Sequence, residues 1–276
     1  MSVVLAAVSA GPVRDALTLG LGVLTGVLSG AFGVGGAIVS TPGIRLLGAS
    51  AFVAVGSTLP SIIPGAAAGA ARYGREGLVS WRIVALAAPG GIVGAVVGSL
   101  LSHSVPGDGR WLMVLTAVLL GITAVRMARA GDEADEADEA DEADERLPGA
   151  AQRRPVAAAA IGLGAGLLSG LLGLGGGLVL IPAFSEILGL RLKSAIATSL
   201  ACVGVLAIPG SITHAVLGDV DWRLALLLTV GVVPGARLGA RLSIAAGDRR
   251  LRLVVACTLG LVAIVYGTGE LAALFS

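Results

Sequence analysis

The strongest constraint on this chain is that its first half recurs in its second half. Residues 26–42 read GVLSGAFGVGGAIVSTP, and residues 166–182, at an offset of 140, read GLLSGLLGLGGGLVLIP. Further matches follow in the same order. They pair Ser57-Thr58 with Thr198-Ser199, Trp81-Arg82 with Trp222-Arg223, and Pro89-Gly90 with Pro234-Gly235. A repeat of this length predicts two copies of one structural unit.

Both copies consist mostly of long stretches without charge. Charged residues make up 13% of the 276, against about 25% in an average soluble domain, and the mean hydropathy is +0.93. Residues 51–71 and 83–102 carry no charge, and 194–218 contains only the titratable His214. Because about 20 apolar residues cross the hydrocarbon core of a bilayer, we predict an all-α integral membrane protein. A soluble α/β enzyme would show alternating strands or polar helix faces, so that class is excluded.

Each half is predicted to contain a pair of short helices followed by three longer spans. The predicted segments are 16–32, 37–48, 51–71, 83–102 and 111–129, and then 156–172, 177–189, 194–217, 223–245 and 251–274. As a helix, 37–48 is only about 18 Å long, against a hydrocarbon core of about 30 Å. The glycine-rich breaks at 33–36 and 173–177 are therefore expected at membrane depth. Non-helical backbone is tolerated there only inside protein or beside a watery cavity.

The distribution of basic residues favours an inverted arrangement of the two halves. If each short pair enters and leaves the bilayer on one side, 13 of the 19 Lys and Arg residues collect on one side and 4 on the other. If each pair instead crosses as one broken helix, the split is 10 to 7. Lys and Arg are enriched in cytoplasmic loops. We therefore predict two inverted repeats, each a re-entrant hairpin plus three transmembrane helices, in the cell membrane with both termini outside.

An acidic segment separates the two predicted membrane repeats, 1–129 and 156–276. Ten of the 18 acidic residues fall in the DEA repeat from Asp132 to Glu145. This repeat has no apolar face to bury. We therefore expect 130–155 to be a low-complexity, solvated linker in the cytoplasm.

The N-terminal end and the cysteines give no sign of processing or cross-linking. Met1 to Ala10 has no basic region, so no cleavable signal peptide is expected. Cys202 and Cys257 both lie in apolar stretches and are predicted to be small buried side chains. No cofactor and no metal site are expected.

The doubled glycine motif resembles the TauE/SafE sulfite exporter family of membrane permeases. Each half opens with S-G-x-x-G-x-G-G-x-x-x-x-x-P. The second half also carries Gly218-Asp219-Val220-Asp221-Trp222-Arg223, followed by Pro234-Gly235-Ala236-Arg237-Leu238-Gly239. The resemblance covers nearly all of the chain outside the acidic linker. It implies transport of sulfite, sulfoacetate or a related sulfur-containing or organic anion, driven by an ion gradient without a nucleotide.

The two helix breaks are the predicted anion-binding elements. A helix interrupted inside the membrane leaves unpaired N–H groups and the positive end of the next helix dipole, and both attract anions. The predicted donors are the amides of 33–37 and 173–177. Glycines let an oxyanion approach the backbone there, at Gly33, Gly35, Gly36, Gly173, Gly175 and Gly176. The alternative is that these small residues only allow close helix packing.

Hydroxyl side chains flank both breaks and are predicted to complete the site. Ser29 and Ser169 precede the two breaks by four residues. Four more hydroxyls recur near the start of the following span, at Ser57, Thr58, Thr198 and Ser199. Here too, close packing of small residues is the alternative.

Two arginines fall inside a predicted span. Arg237 and Arg241 are four residues apart and share a helix face. They either extend to the cytoplasmic interface or draw anions towards the inner mouth. With Pro89 paired to Pro234, Val96 corresponds to Arg241, so any such role is asymmetric.

His214 is the only titratable side chain well inside an uncharged stretch. It either takes part in proton coupling or is a neutral, hydrogen-bonded histidine at a helix end. No carboxylate lies in the middle of a span, because Glu186 is near the end of the second hairpin and Asp219 and Asp221 are in a loop. No proton relay of the Asp/Glu type is therefore predicted.

These features together predict a secondary transporter that carries a small anion by alternating access, with its two hairpins meeting at a pseudo-two-fold axis. Its predicted partners are the anion and the lipid bilayer, with no nucleic acid; a homo-oligomer is left open. A passive anion channel is the main alternative. An intramembrane serine hydrolase is a second one, and it requires Ser169 and His214 to touch. The chain has no G-x-x-x-x-G-K-[ST] loop for ATP-driven transport.

Overall fold

The computed structural model of the chain describes residues 11–102 and 155–245 other than 174, together with 104–105, most of 111–125 and a few residues between 257 and 264. Within these residues the fold is helical and contains no strand. The first half contains α1 (Pro12–Phe32), α2 (Ala37–Leu46), α3 (Ala51–Arg75) and α4 (Trp81–Ser102). The second half contains α5 (Pro155–Leu172), α6 (Gly177–Pro182, continued by a π-helical turn at Ala183–Ile187), α7 (Leu192–Val216) and α8 (Trp222–Ala245).

The helix bounds confirm the predicted segments of both halves to within a few residues. Six helices, α1, α3, α4, α5, α7 and α8, are long and apolar enough to cross a membrane. The two short ones, α2 and α6, each follow a glycine-rich break, as predicted. The predicted span 111–129 is described only in part, and its described residues are helical. The predicted span 251–274, the linker 130–155 and Met1 to Ala10 lie largely or wholly outside the described residues.

Local signals explain where several helices begin. Pro12 opens α1, where its missing N–H is not needed, and Asp15 lies in the first turn near the positive end of the helix dipole. The Ser50 Oγ caps α3 by accepting from the N–H of Val53 at 3.3 Å. The Asp221 carboxylate caps α8 by accepting from the N–H of Arg223 at 3.0 Å.

The two halves interlock through two glycine seams, one between α1 and α8 and one between α5 and α4. The first helix of each half therefore packs against a late helix of the other half. A Cβ atom at any of the seam glycines would overlap a backbone atom of the facing helix, as at Gly22, where it would lie 2.7 Å from the carbonyl oxygen of Leu228. Such contact between backbones is typical of membrane helices that associate through small residues. The seams are formed by Gly22, Gly26, Gly30, Gly231, Gly235 and Gly239, and by Gly162, Gly166, Gly170, Gly90, Gly94 and Gly98.

The seams correct one part of the predicted alignment between the halves. Gly30 packs against Ala236, and its counterpart Gly170 packs against Ala95, so the offset of 141 continues through α4 and α8. Pro89 and Pro234 are therefore not equivalent, and their pairing was wrong by four residues, about one helical turn. The prolines misled because both are exposed, so packing does not set their position.

The same shift changes the partner assigned to one arginine. At an offset of 141, Arg241 corresponds to Leu100 and not to Val96. The arginine still has no basic counterpart in the first half.

The cysteines provide a second correction. Cys202 is buried on α7, as predicted, but Cys257 is exposed. An apolar neighbourhood in the sequence of a membrane protein does not separate a lipid-facing side chain from one inside the helix bundle.

A substitution in the α4–α5 seam tests this packing. We expect Gly166→Leu to lower the thermal stability of the detergent-solubilised protein by the equivalent of about 1–3 kcal/mol or more, because the added side chain overlaps the backbone of Gly91. Gly164→Leu is the matched control. Gly164 lies two residues away on the same helix and is exposed, and a Cβ atom there would have nothing within 4 Å. Thermal unfolding followed by size-exclusion chromatography measures both. Equal stability of the two variants would contradict the seam.

Candidate functional site

Each helix break is made of three glycines in left-handed backbone conformations. The φ angles are 68° at Gly33, 83° at Gly35 and 76° at Gly36. In the second half they are 67° at Gly173, 74° at Gly175 and 72° at Gly176. Residues with a Cβ rarely adopt this region, so glycine is what allows each chain to leave one helix and start the next within four residues.

The two breaks are buried and touch each other. Residues 31–38 and 175–178 are all buried. A Cβ atom at Gly177 would lie 2.5 Å from the Cα of Val34, and one at Gly175 would lie 3.8 Å from the Cα of Gly35. The breaks therefore form one feature in the interior of the protein, although they are 140 residues apart in sequence.

Backbone hydrogen bonds narrow the set of candidate donors. The N–H groups of Gly33 and Gly173 are already used, because each donates to the carbonyl four residues earlier, of Ser29 and of Ser169, at 2.8 Å. On the far side of each break, the first N–H groups of the next helix fold back onto the carbonyls of Gly36 and Gly176. The amides between these points, at 34–38 and 175–178, form no hydrogen bond with another described residue.

Two apolar side chains cover the glycines. A Cβ atom at Gly175 would lie 3.0 Å from Val203 Cγ1 and 3.4 Å from Ile62 Cδ1, and one at Gly35 would meet the same two side chains. Ile62 on α3 and Val203 on α7 are equivalent positions at the offset of 141, and both are buried. They therefore close the space between the breaks from the two central helices.

The pocket beside the first break is small. Its volume is about 10 Å³, and it is lined by Leu28, Ser29, Phe32, Val34, Gly36, Ile38 and Val39. This is room for about one water molecule. A sulfite-sized anion does not fit in it.

Two of the predicted hydroxyls hold the halves together. The Ser57 Oγ accepts from the N–H of Asp221 at 2.8 Å, and the Thr198 Oγ1 accepts from the N–H of Ser80 at 3.0 Å. Asp221 and Ser80 are themselves equivalent positions, each just before a long helix of the opposite half. Ser57 and Thr198 therefore anchor the turns that lead into α8 and α4.

The remaining hydroxyls lie closer to the breaks. The Ser199 Oγ donates to the carbonyl of Gly33 at 2.9 Å. The Thr58 Oγ1 and the Ser169 Oγ are buried and have no hydrogen-bond partner among the described residues. Ser29 is 1% exposed and lines the small pocket. Leaving a buried hydroxyl unpaired costs about 1–3 kcal/mol, so a hydrogen bond to a ligand or a water molecule would stabilise it.

His214 is fully buried near the end of α7 and is held at both ring nitrogens. Its Nδ1 lies 2.8 Å from Asp219 Oδ2, and its Nε2 lies 3.2 Å from the carbonyl oxygen of Gly170. Asp219 was not expected here, because the sequence places it in a loop. Gly218, with φ 81°, turns the chain so that Asp219 returns to the histidine.

Tyr73 is a site residue that sequence reasoning missed. Its hydroxyl donates to the carbonyl of Gly30 at 2.8 Å. At the offset of 141 Tyr73 is the counterpart of His214, and at 140 Gly30 is the counterpart of Gly170. The repeat therefore contained the signal, since the two positions align once the halves are compared residue by residue.

Arg237 and Arg241 lie on the exposed face of α8, away from the buried glycine seam. Neither forms an ion pair with another residue in the described part of the chain. They do not approach the breaks through that seam.

The structure gives no support to a serine hydrolase. The Ser169 Oγ has no hydrogen bond to His214, whose Nε2 faces the backbone of Gly170 instead. A nucleophile and its base need to be within hydrogen-bond reach. Among the described residues there is also no group of three or more His, Cys, Asp or Glu residues that could hold a metal ion.

Comparisons with known proteins agree with this architecture. A "probable membrane transporter protein" of Xylella fastidiosa (strain 9a5c) is 28% identical over 234 residues, which cover 82% of this chain and 84% of that protein. YunE of Bacillus subtilis (strain 168), also named a probable membrane transporter protein, is 27% identical over 238 residues, covering 81% and 86%. MamO of Magnetospirillum gryphiswaldense, of the same description, is 28% identical and matches 89% of this chain but only 44% of its own length. No solved structure matches the chain.

The family model for "Sulfite exporter TauE/SafE" matches residues 18–266, which is nearly the whole chain and includes both glycine breaks. The relatives are named probable membrane transporter proteins, and six helices in the described part of the chain are long and apolar enough to cross a bilayer. This multi-pass membrane protein therefore belongs to the TauE/SafE sulfite exporter family of transporters.

Proposed function

We propose that this transporter carries a small anion, sulfite or another sulfur-containing or organic anion, by alternating access around the paired helix breaks. The observation that carries the proposal is the pair of buried, adjacent glycine stretches whose amides at 34–38 and 175–178 have no described acceptor. Buried N–H groups without a partner are unfavourable, and an oxyanion is the partner that suits several of them at once.

The electrostatics of the breaks favour an anion over a cation or a neutral solute. Both α2 and the helical stretch Gly177–Ile187 begin at a break, so the positive ends of their dipoles point to the same place. No charged side chain lies within 33–38 or 173–178. The unpaired hydroxyls of Thr58 and Ser169 are further candidate donors, and Ser199 orients the first break through the Gly33 carbonyl.

The tight packing around the two breaks favours a carrier over a passive channel. Ile62 and Val203 fill the space next to Gly35 and Gly175, and the adjoining pocket has room for about one water molecule. A channel needs a continuous water-filled path, whereas a carrier passes through a state in which its site is shut on both sides.

The order of contacts along the helices supports the inverted-repeat arrangement. Gly69, Ala66 and Leu59 on α3 meet Leu200, Gly204 and Gly210 on α7, so one sequence rises as the other falls. The equivalent helices α3 and α7 are therefore antiparallel. Residue numbers rise together in the α1–α8 and α4–α5 seams, as expected for inverted halves that each begin with a hairpin.

The distribution of charge at the helix ends supports an orientation with both termini outside. Where α3 ends and where α4 and α7 begin, the chain carries a set of basic residues, Arg72, Arg75, Arg82, Arg191 and Lys193. Lys193 Nζ also donates to the carbonyl of Ile244 near the end of α8, which brings α8 to this side. The opposite ends carry Arg14, Arg45 and Arg223 with Asp15, Asp219 and Asp221. The first side is proposed to face the cytoplasm.

Cysteine labelling tests this topology. In a background with Cys202→Ala and Cys257→Ala, we expect a membrane-impermeant maleimide to label Leu46→Cys and Val216→Cys in intact cells. Glu76→Cys and Ile187→Cys should be labelled only after permeabilisation. All four positions are exposed. Labelling of Leu46→Cys and Val216→Cys from opposite sides would overturn the inverted arrangement.

Substitution of a break glycine tests the anion site. We expect Gly175→Ala to lower sulfite flux in proteoliposomes by about tenfold or more, the effect of losing about 1.4 kcal/mol of interaction, because the methyl group strains the left-handed backbone and presses on Val203. Gly189→Ala is the matched control. Because Gly189 has a φ of 67°, an alanine there is strained to a similar degree, but its Cβ atom has nothing within 4 Å. Equal flux through both variants would count against the site.

The size of the apolar cover provides a separate test. We expect Val203→Ala to raise the flux of the larger sulfoacetate relative to sulfite, because it removes the side chain nearest to Gly35 and Gly175. Ile208→Ala is the control on the same helix, since Ile208 is exposed. A panel of sulfite, thiosulfate, sulfoacetate and lactate under imposed pH gradients measures the ratio. A continuous, gradient-driven conductance in the unsubstituted protein would favour the channel.

A further inference from the structure

We propose that His214 and Asp219 form a proton-binding site that makes a proton travel with the anion held at the second break. The inference rests on the proposed function, because it assigns the ion that accompanies the anion. Its basis is a comparison between the two halves, in which one backbone arrangement carries two different pairs of side chains.

The turns that end α3 and α7 have the same backbone geometry. At the end of α3, the N–H of Leu78 donates to the carbonyl of Tyr73 at 3.2 Å, across Gly77 with φ 68°. At the end of α7, the N–H of Asp219 donates to the carbonyl of His214 at 3.0 Å, across Gly218 with φ 81°. This 6→1 bond with a left-handed glycine is a common way to end a helix.

Both turns also hold the broken helix of their own half in the same way. The Tyr73 hydroxyl donates to the carbonyl of Gly30 on α1, and the Nε2 of His214 contacts the carbonyl of Gly170 on α5. These carbonyls lie in the last turn before each break, where the regular helical acceptor pattern stops. What differs between the halves is the side-chain pair, Tyr73 with Leu78 in one and His214 with Asp219 in the other.

The second pair has a proton requirement that the first pair lacks. A backbone carbonyl only accepts, so the Nε2 of His214 needs a proton to bond to Gly170. The Nδ1 lies 2.8 Å from a carboxyl oxygen of Asp219, so a proton lies between these two atoms, and the proposal assigns it to the ring. With both protons on the ring, the imidazolium and the carboxylate carry no net charge, which costs less in a buried site than a single unpaired charge.

Loss of one proton disturbs this arrangement. The ring then has a single N–H, so one nitrogen presents a lone pair to an oxygen, either of Gly170 or of Asp219. The pair also acquires a net negative charge in the interior. Proton binding is thereby linked to the contact that holds the end of α5.

Few other ionisable groups face the pair. The parts of α3, α4 and α5 nearest to it, residues 51–58, 91–102 and 162–172, contain no charged or titratable residue, and neither does 18–32 of α1. Glu186, in the hairpin packed against α7, is exposed and lies 28 residues before His214. In the following loop, Asp221 caps α8 and Arg223 pairs with Asp15. In the described part of the chain, Asp219 is a counter-charge in direct contact with the histidine ring.

The proton site contacts the turn of α5 that leads directly into the second break. Gly170 precedes Gly173, the first left-handed glycine of the break, by three residues, about 4.5 Å of helical rise. A negative charge at the break favours the protonated pair, and the protonated pair favours the anion, since coupling between two sites is reciprocal. Anion and proton are therefore expected to move together in the same direction.

Exchanging the side-chain pair of the second half for that of the first half tests this inference. The double variant His214→Tyr with Asp219→Leu places the side chains of the first half in the second. We expect its sulfite flux in proteoliposomes to lose the acceleration by an inward proton gradient, and the number of protons that enter with each sulfite, followed with an internal pH dye, to fall. Sulfite's own protonation is the same for both proteins, so the difference reports the pair. Tyr73→Phe is the control, because it removes a contact to Gly30 without removing a proton site. Equal proton entry with wild type and double variant would overturn the coupling.

A measurement that does not need transport tests the proton site directly. The chain has two histidines, so His103→Gln leaves His214 as the only one. We expect nitrogen NMR of the ¹⁵N-histidine-labelled protein to show two protonated ring nitrogens, and Asp219→Asn to reduce them to one. A single protonated nitrogen before that substitution would overturn the site. If the unsubstituted protein carries no sulfite, the proposed function fails for that anion, while the NMR result still decides whether the pair binds a proton.

Discussion

The structure depends on one constraint, which is that a peptide group inside a bilayer has to find its hydrogen-bond partner within the protein. Two helix breaks conflict with this rule if they lie at membrane depth, as the sequence predicts. The fold contains the conflict by placing both breaks against each other and surrounding them with the central helices α3 and α7. The glycines that create the breaks also let the backbones come close enough to share this enclosure. The unpaired amides are then buried in the interior of the protein.

The two halves share a frame but differ in chemistry. The turns, the glycine seams, the anchoring hydroxyls of Ser57 and Thr198, and the covering side chains of Ile62 and Val203 all follow the repeat. The contacts that hold the broken helices do not, because one uses a phenol and the other an imidazole with a carboxylate. A duplicated frame with asymmetric contacts beside the breaks suits the proposed carrier, in which the two faces of the membrane have to be treated differently.

Much of this was predictable from the sequence, because the repeat and the uncharged stretches report directly on helix length and on backbone breaks. Helix bounds and the positions of both breaks came out within a few residues. The alignment of α4 with its counterpart α8 did not. The exposed prolines Pro89 and Pro234 look like a match, whereas the spacing of the packed glycines sets the true offset. Side-chain partners were the hardest to foresee. Asp219 reaches His214 only because Gly218 reverses the chain, and the bonds of Ser57 and Thr198 join residues more than 100 positions apart.

The glycine seams have a mechanical consequence. Where backbone lies against backbone there are no side chains to rotate or slide, so α1 with α8 and α4 with α5 behave as two stiff blocks. Each block contains one helix from each half of the sequence. In the proposed carrier, we therefore expect hinge motion at the contacts between these mixed blocks and the side-chain-filled centre, so the units that move would not be the units that were duplicated.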